Sequence, residues 1–230
     1  MTNDEVVVIA YPAGMPSAAD PAPGRRGRPP RISLEQIIDA GVEIGLNDLT
    51  LAAVANALDV HPAALYRYVD GRAELVQRVV DRIVSAADFP DDPTLDAEAL
   101  LVDFGQRLRG LLFENPGLTA FSLVAGASAI DAKRAVMIDR LGRRGLDPSD
   151  ALAAVDSVGI HVLESVHAVT TGSVSFDPIF VSDETKHPSL RTALADLDYD
   201  DEESWRHFGL RACVRGVLAL LAEGERPRPR

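Results

Sequence analysis

Apolar residues recur every three or four positions along most of the chain, which is the spacing expected of helices that bury one face. The first such segment begins at Ser33, which forms a capping box with Gln36, and it ends near Gly45. Its inward face is predicted to consist of Leu34, Ile37, Ile38, Gly41 and Ile44. The pattern therefore predicts ordered helical structure from Ser33 onward.

Three further short helices are predicted before residue 88. Thr50 caps the second helix, and its inward residues are Leu51, Val54, Ala55 and Leu58. Asp59 and Val60 form a turn, and Pro62 fits the first turn of the third helix, where its missing N–H costs nothing. The third helix is anchored by Leu65 and Val69. Gly71 precedes a fourth helix, whose inward face is Leu75, Val76, Val79, Val80 and Ile83.

The segment Asp-Phe-Pro-Asp-Asp-Pro at 88–93 interrupts this pattern and marks a predicted domain boundary. Beyond it the chain predicts helices at about 94–115, 116–126, 127–144, 148–171, 188–197 and 202–222, most of them bounded by Gly or Pro. No segment alternates apolar and polar residues in the manner of a strand, so the predicted fold class is all-α.

The second and third helices have the layout of a helix-turn-helix, in which one helix enters a DNA groove. Leu65 and Val69 hold the third helix from behind. The remaining residues face outward or sideways: His61, Pro62, Ala63, Ala64, Tyr66, Arg67 and Tyr68. The small side chains at 62–64 let the backbone approach the groove and can touch a thymine methyl, whereas the tyrosines and Arg67 can bond phosphates. Arg72 adds another phosphate contact.

Charge is distributed unevenly along this acidic chain, whose net charge is −12. Residues 21–82 carry eight arginines and eight acids, whereas residues 83–230 account for −9 of the total. Residues 11–30 are rich in Pro, Gly and Ala and are predicted to form a flexible tail. A basic arm of Arg25, Arg26, Arg28 and Arg31 precedes the first helix, and such an arm can enter a minor groove. The overall acidity is therefore compatible with DNA binding.

More ordinary explanations exist for some of these features. Tyr68 can equally be a half-buried aromatic that packs the small domain, and Gly-Arg-rich tails are common solvated segments. The combination of the small residues at 62–64, Tyr66 and the upstream arginines is what favours DNA recognition.

Residues 33–83 resemble the DNA-binding domain of TetR-type repressors. The resemblance rests on Leu49-Thr50, Ala55 with Leu58, Val60, Leu65-Tyr66 and the stretch from Arg72 to Leu75, in an ungapped match of more than 40 residues. It implies a homodimer whose larger helical domain binds a small effector and thereby releases the operator. By resemblance, His61, Pro62, Ala63 and Tyr66 fall on base-facing positions, and Thr50, Tyr68 and Arg72 on positions that contact the DNA backbone.

The sequence departs from the family at the start of the second helix. Some members carry an arginine there that reads a guanine, whereas this chain has Leu51-Ala52-Ala53. The resemblance therefore implies that more of the specificity comes from the basic arm and from DNA shape.

Taken together, these patterns predict a tail at 1–30, a three-helix helix-turn-helix DNA-binding domain at 31–87 with the motif at 50–69, and a larger helical ligand-binding and dimerisation domain at 88–226. The expected partners are a double-stranded DNA operator, a second copy of the chain and a small apolar or amphipathic effector. The expected function is regulation of transcription in the cytoplasm, with repression favoured over activation. A ligand-binding or scaffold protein without sequence-specific DNA function is the alternative.

The larger domain supplies two candidate sets of residues. An apolar pocket is predicted from Phe104, Leu108, Phe121, Met137, Leu141, His161, Ser165, Phe176, Trp205 and Phe208. Dimer packing is predicted from Leu152, Val155, Gly159, Val162 and Val166 on one helix and Leu210, Val214, Val217, Leu218 and Leu221 on another. Spacing alone leaves open that both stripes face the intramolecular core, and only the family resemblance favours the dimer.

Other classes of protein receive little support from the sequence. There is no Gly-rich phosphate loop, no nucleophile elbow and no His-Glu-x-x-His motif, so no enzyme and no cofactor are expected. His161 and Glu164 share a helix face, but such a lone polar pair more often satisfies itself than binds a metal. Cys213 is the only cysteine and is expected to be a small buried apolar residue. No targeting segment or membrane span of roughly 20 apolar residues is expected.

Overall fold

The computed structural model describes residues 32–122, 128–172, 189, 192 and 201–227. Regular structure in these ranges is helical, and no strand occurs among them, which confirms the predicted all-α class. The helices are α1 (Leu34–Ile44), α2 (Leu51–Ala57), a 3₁₀ helix (Pro62–Arg67), α3 (Arg72–Ala86), α4 (Ala97–Glu114), α5 (Leu118–Ser122), α6 (Ser128–Gly142), α7 (Pro148–Thr170) and α8 (Glu202–Ala222). The predicted tail at 1–30 and most of the predicted helix at 188–197 lie outside the described residues; Ser189 and Thr192 are helical.

Side-chain caps start the first two helices where the sequence predicts them. The Gln36 backbone N–H donates to Ser33 Oγ at 3.2 Å, and the Ser33 N–H donates to Gln36 Oε1 at 2.9 Å. The Ala53 N–H donates to Thr50 Oγ1 at 3.0 Å. Each cap satisfies an N–H that has no partner within the helix, so these residues fix where α1 and α2 begin.

The turn after α2 sets the direction of the 3₁₀ helix. Asp59 adopts a left-handed φ of 50°, and the Val60 N–H closes back onto the Ala55 carbonyl at 3.0 Å. The sequence predicts a third helix from Pro62, and the structure makes it a 3₁₀ helix. Its i to i+3 bonds run from the Ala64 N–H to the His61 carbonyl and from the Tyr68 N–H to the Leu65 carbonyl, both at 2.8 Å. A segment of only six residues that is capped at one end and anchored at the other favours this tighter winding.

The first four helices share one apolar core, and we call residues 32–86 the head. Of the residues that the helical spacing predicts for this core, Ile37, Val54, Leu65, Leu75 and Val79 are fully buried, whereas Leu34, Ile44, Leu51 and Leu58 are only partly buried. Gly41 lies at the closest approach of α1 and α3, since a Cβ built there would be 2.6 Å from Val79 Cγ2 and 3.3 Å from Leu49 Cδ1. The close packing of α1 and α3 thus depends on a glycine.

Helix α7 is the centre of the larger part of the chain, where α4, α5, α6 and α8 all pack against it. Its inward face consists of Ala151, Ala154, Val155, Val158, Val162 and Val166. Among the described residues, α7 is one helix that is long and apolar enough to cross a membrane by length and composition alone, which contradicts the expectation that no segment is; its 23 residues reach a mean hydropathy of 1.3 in the most apolar window. Only 28% of that window is buried, although α7 packs against four other helices.

The head is fastened to the larger part at the C-terminal end of α3. The Ala129 N–H at the start of α6 donates to Asp81 Oδ1 at 2.9 Å. Lys133 Nζ donates to the carbonyls of Ser85 at 3.2 Å and Ala87 at 2.6 Å. Ser85 lies in the last turn of α3 and Ala87 directly follows the helix, so α6 supplies donors to carbonyls that have no partner within α3.

The predicted boundary segment lies along the end of α6 and is held there by arginines. Arg144 donates from Nε to the Leu95 carbonyl at 2.7 Å and from Nη2 to the Asp92 carbonyl at 2.6 Å. Arg143 pairs with Asp91, and this hydrogen bond holds the pKa of Asp91 below its ordinary value. The linker is therefore bound at several points to the helix that also holds α3.

Replacing Gly41 by Ala should destabilise the head. The added methyl group must displace the buried side chain of Val79, and such overpacking costs about 1–3 kcal/mol. Urea denaturation would measure this decrease in the free energy of unfolding. Gly110→Ala is the matched control, because nothing lies within 4 Å of its Cβ position and alanine favours a helix interior. Equal stability of the two variants would contradict the close packing of α1 and α3.

The start of α7 should carry an acid-sensitive contribution to stability. Backbone N–H donation from Asp150, then the Ser149 hydroxyl and the Arg226 charge, lower the pKa of Asp147 from 3.8 to about 2. A lowered pKa stabilises the folded state above pH 3.8, and this contribution is lost as the pH falls through about 2. Asp147→Asn keeps the capping oxygen but does not titrate. Its stability deficit relative to the natural chain, measured by thermal unfolding, should shrink between pH 4 and pH 2; a constant deficit would contradict this account.

Candidate nucleic-acid interface

The 3₁₀ helix has one buried and one exposed side. Leu65 and Val69 are 0% and 1% exposed and fix the segment against the head core. On the other side, His61, Ala63, Tyr66 and Arg67 are exposed, and Pro62 and Ala64 are half-buried. This arrangement presents a short, firmly held edge to solvent, with small side chains at its start.

His61 caps the 3₁₀ helix with its imidazole. Its Nδ1 accepts from the Ala63 backbone N–H at 3.2 Å. Because Nδ1 is the acceptor, a neutral imidazole carries its proton on Nε2, which then points away from the cap. His61 therefore contributes one outward donor at the start of the segment.

The two tyrosines of this segment occupy different environments. Tyr66 is 59% exposed, an unusual position for a large aromatic residue that packs no core. Tyr68 is half-buried, and its hydroxyl donates to the Ile32 carbonyl at 2.8 Å. Tyr68 is therefore a half-buried aromatic that packs the head, which is the alternative that the sequence leaves open. Its hydrogen bond also holds Ile32, the residue that directly follows Arg31.

Three of the carboxylates of the head are paired with arginines that lie outside the 3₁₀ helix. Residues 32–86 contain four arginines and eight carboxylates. Arg82 pairs with Glu35 and with Asp39, and Arg78 pairs with Glu74 at 2.6 Å. Arg67 has no ion pair within 32–122, so its guanidinium is a free cation beside Tyr66.

Two other predicted DNA contacts also support the local structure. The Thr50 hydroxyl oxygen caps α2, and Arg72 donates from Nε to the Leu49 carbonyl at 3.0 Å. The Arg72 bond leaves the Nη groups of the same exposed side chain to reach a phosphate. Arg25, Arg26, Arg28 and Arg31 lie outside the described residues.

Two mainly apolar cavities in the described larger part of the chain have linings that share no residue. The head-side cavity, of about 280 Å³, extends from Val84 on α3 and Phe89 to Phe104 and Leu108 on α4 and Ile160 on α7. The α8 cavity, of about 290 Å³, lies between α4, α7 and α8 and includes His161, Ser165 and Trp205. The predicted pocket residues are therefore divided between two sites.

Other predicted pocket residues line neither of these two cavities. Met137 and Leu141 are 2% and 0% exposed because they lie one turn apart on the face of α6 that packs against the core. Phe208 is 67% exposed and makes an edge contact with Trp205, with ring centroids 6.3 Å apart. The side chain of Phe121 and all of Phe176 lie outside the described residues.

Sequence reasoning missed the charged groups of the head-side cavity. Arg134 forms a two-pronged bond with Asp156, from Nε to Oδ1 at 2.9 Å and from Nη2 to Oδ2 at 2.6 Å. This bond raises the pKa of Arg134 above its ordinary value. Lys133 lines the same cavity. No short-range motif marks these residues, since Arg134 and Asp156 lie on different helices.

Several residues predicted for dimer packing are buried within the protomer. Val155, Val162 and Val166 on α7 and Leu210, Val214 and Leu221 on α8 are all at most 8% exposed. They serve the intramolecular core, which is the alternative that spacing leaves open. Gly159, Val217 and Leu218 are half-buried, and Leu152 is exposed. The apolar residues left for a partner on these two helices include Leu152, Ile160, Phe208 and Leu220.

In the part of the chain that the structure describes, Cys213 and the acidic groups indicate neither a reactive thiol nor a metal site. Burial raises the pKa of the Cys213 thiol, and its Sγ lies 3.9 Å from the Ser157 carbonyl. No group of three or more His, Cys, Asp or Glu residues in the described ranges could hold a metal ion.

Comparison with known proteins relates this geometry to DNA-binding regulators. The chain is 35% identical over 71 residues to the HTH-type transcriptional repressor DrrR1 of Streptomyces coeruleorubidus, a match that covers 29% of this chain and only 26% of the repressor. It is 25% identical over 163 residues to an HTH-type transcriptional regulator of Saccharopolyspora erythraea, which covers 67% of this chain and 69% of that regulator. No protein-family model matches.

Solved structures show the fold. A single-residue variant of TetR from Acinetobacter baumannii, in complex with minocycline, has a TM-score of 0.67 at 16% identity and covers 86% of this chain and 100% of its own. ActR, a TetR family protein of Streptomyces coelicolor, in complex with actinorhodin, has a TM-score of 0.64 at 19% identity and covers 82% of this chain and 97% of its own. The chain is a TetR-type protein in its fold, which confirms the predicted resemblance.

Tyr66→Ala should weaken binding to a specific DNA site about tenfold, the decrease expected when one good contact in each half-site is removed. Because Tyr66 is exposed, the thermal unfolding of this variant should match that of the natural chain. Tyr68→Phe is the comparison, since it should lower stability by about 1 kcal/mol by removing the hydrogen bond to Ile32. Undiminished DNA binding by Tyr66→Ala would mean that the 3₁₀ helix does not face the DNA.

Arg67→Gln should reduce the salt dependence of DNA binding, because a guanidinium on a phosphate releases counterions. The slope of log K against log salt should fall by about 0.9 for each phosphate that is no longer neutralised. Arg78→Gln removes the same charge from a residue that is already paired with Glu74, and it should leave the slope nearly unchanged. Fluorescence anisotropy at several salt concentrations would measure both slopes. Identical slopes for the two variants would contradict the charge arrangement described above.

Proposed function

We propose that this chain is a cytoplasmic transcriptional repressor that binds a near-palindromic DNA operator as a homodimer and leaves it when a small molecule enters the larger part. The observation that carries the proposal is the two-sided 3₁₀ helix. Leu65 and Val69 are buried behind it, while Tyr66 and Arg67 are exposed in front. A recognition element needs this combination of a rigid back and an accessible front.

The start of the 3₁₀ helix is suited to base contacts. Pro62, Ala63 and Ala64 allow the backbone to approach base edges, and their apolar surface suits a thymine methyl. His61 offers an outward donor at the same end. Tyr66, Arg67 and Arg72 are placed to bond the flanking phosphates, which fixes the register of the segment on the duplex.

Homodimer formation is supported by the exposed apolar residues of α7 and α8. Ile160, Phe208 and Leu220 are 50%, 67% and 47% exposed. Ala212, Gly216 and Ala219 lie on the exposed side of α8, and such small residues allow helices to approach closely. A two-fold axis beside these helices would present two heads to two symmetric half-sites.

An effector in the head-side cavity is well placed to act on the head. Val84 lines the cavity and belongs to α3, the helix whose N-terminal half packs in the head core. Lys133 also lines the cavity and bonds the last carbonyls of α3. The apolar walls, with Arg134 paired to Asp156, suit a small apolar or amphipathic molecule that carries a few polar groups. Two of the similar solved structures support a ligand response, since one is a complex with minocycline and the other a complex with actinorhodin.

The proposal is tested by fluorescence anisotropy of the purified chain on DNA from its own upstream region. Binding is measured at two salt concentrations in the presence of a scrambled competitor. We expect competitor-resistant binding at both salt concentrations. If no fragment selected from the genome survives the competitor, sequence-specific regulation is excluded.

Lys133→Met should lower operator affinity about fivefold, although Lys133 lies outside the DNA-facing surface. Its removal breaks the two side-chain bonds that α6 makes with the end of α3, so the two heads are less well oriented for simultaneous binding. Lys133→Arg keeps a cation with several donors and should bind more tightly than the Met variant. The same anisotropy assay reports both. If Lys133→Met bound the operator with wild-type affinity, the bonds of Lys133 to the end of α3 would not couple the cavity to the head.

A further inference from the structure

The α8 cavity is separate from the head-side cavity because the two lie on different sides of the same helices. On α4, Gly105, Arg109 and Phe113 face the α8 cavity, whereas Phe104 and Leu108 face the head-side cavity. On α7, Val162, Val166 and Val169 face the α8 cavity, whereas Gly159, Ile160 and Leu163 face the other. At 100° per residue, the two sets are centred about 100–120° apart and so occupy adjacent faces of each helix.

Close helix packing closes the inner end of the α8 cavity. A Cβ on Gly105 would lie 2.6 Å from Leu210 Cδ1 and 3.3 Å from Val158 Cγ1. Since α4, α7 and α8 meet there without space for a methyl group, the cavity ends at Gly105 and Leu210. Its wall is mainly apolar, with Phe113 and Trp205 as flat surfaces.

The polar groups of the α8 cavity favour an anion. Its charged or polar lining residues include Arg109, Arg206, His161 and Ser165, and none of the lining residues that the structure describes is a carboxylate. Ser165 donates its hydroxyl to the His161 carbonyl at 2.6 Å, which leaves the Ser165 oxygen as an acceptor only. Arg109 is 18% exposed and pairs with Glu203, which is 65% exposed. Two guanidiniums therefore line this cavity, one of them paired with Glu203, and both carry N–H groups that can donate to an anion.

We propose that the α8 cavity is a second ligand site, which takes a small aromatic or other planar apolar molecule bearing a carboxylate. The apolar body lies against Trp205, Phe113 and Val166, and the carboxylate bonds Arg109 and Arg206. Its volume of about 290 Å³ suits one or two rings. The exposed Glu203 competes with the ligand for Arg109, so it weakens binding without closing the site.

Trp205 makes the test specific, because it is the only tryptophan of the chain and lines this cavity. The full chain, without DNA, is titrated with 3-phenylpropanoate while the tryptophan emission is followed. The neutral 3-phenylpropan-1-ol serves as the uncharged probe of the same shape. We expect a saturable change with the acid and at least tenfold weaker binding of the alcohol. Equal affinity for the two probes, or no saturation with the acid, overturns the proposal.

Charge variants test the assigned contacts. Arg109→Gln should weaken binding of 3-phenylpropanoate at least fivefold, whereas Glu203→Gln should strengthen it, because Arg109 then loses its competitor. Both variants should bind the alcohol as the natural chain does. Opposite shifts for the acid support the site, and shifts of the same sign contradict it.

Two leucine substitutions on α7 locate the probe. Ala168→Leu fills the α8 cavity and should abolish the emission change, whereas Gly159→Leu fills the head-side cavity and should leave it intact. Circular dichroism and thermal unfolding confirm that each variant is folded. Loss of the signal in Gly159→Leu alone would assign the probe to the head-side cavity and overturn the proposal. Because DNA is absent throughout, a failure here is distinguishable from a failure of operator binding.

Discussion

The hydrogen bonds between the end of α3 and the beginning of α6 determine how the two parts of the chain act together. Asp81 accepts from the first turn of α6, and Lys133 donates to the Ser85 and Ala87 carbonyls. These bonds hold the head in a defined position relative to the larger part. Helix α3 therefore has one half in the head core, at Leu75 and Val79, and its other end at the head-side cavity, at Val84. Under the proposed function, a ligand that displaces α6 would act on the head through α3.

The surface that is proposed to face DNA is also fixed by a small number of local contacts. Burial of Leu65 and Val69 orients the 3₁₀ helix, and the His61 and Thr50 caps satisfy backbone groups that would otherwise need water. Arg78 and Arg82 form ion pairs with three of the eight head carboxylates, Glu74, Glu35 and Asp39. Arg67 forms no ion pair with the described residues of the head, and it lies beside the exposed Tyr66. An acidic protein can therefore present a local surface that suits phosphates.

Local chemistry made much of the head predictable from sequence. The caps at Ser33 and Thr50 and the apolar spacing of α1 to α3 depend on residues three or four apart, which a sequence displays directly. The 3₁₀ winding of Pro62–Arg67 was not predictable, because a period of 3.0 cannot be told from 3.6 over six residues. The cavities were only partly predictable. Phe104 and His161 were named for one pocket but line two, and the Arg134–Asp156 pair joins residues 22 apart on separate helices. Burial of Val155 and Val214 likewise depends on which helices become neighbours, and periodicity does not contain that information.

Hydroxyl-radical footprinting of the chain on its selected operator tests the central claim most directly. Two heads that each place a 3₁₀ helix in the major groove should protect two symmetric patches on one face of the duplex, about one helical turn or a multiple of it apart. A single protected patch, or uniform protection without a symmetric pattern, would contradict the account of a dimer that reads DNA through Pro62–Arg67.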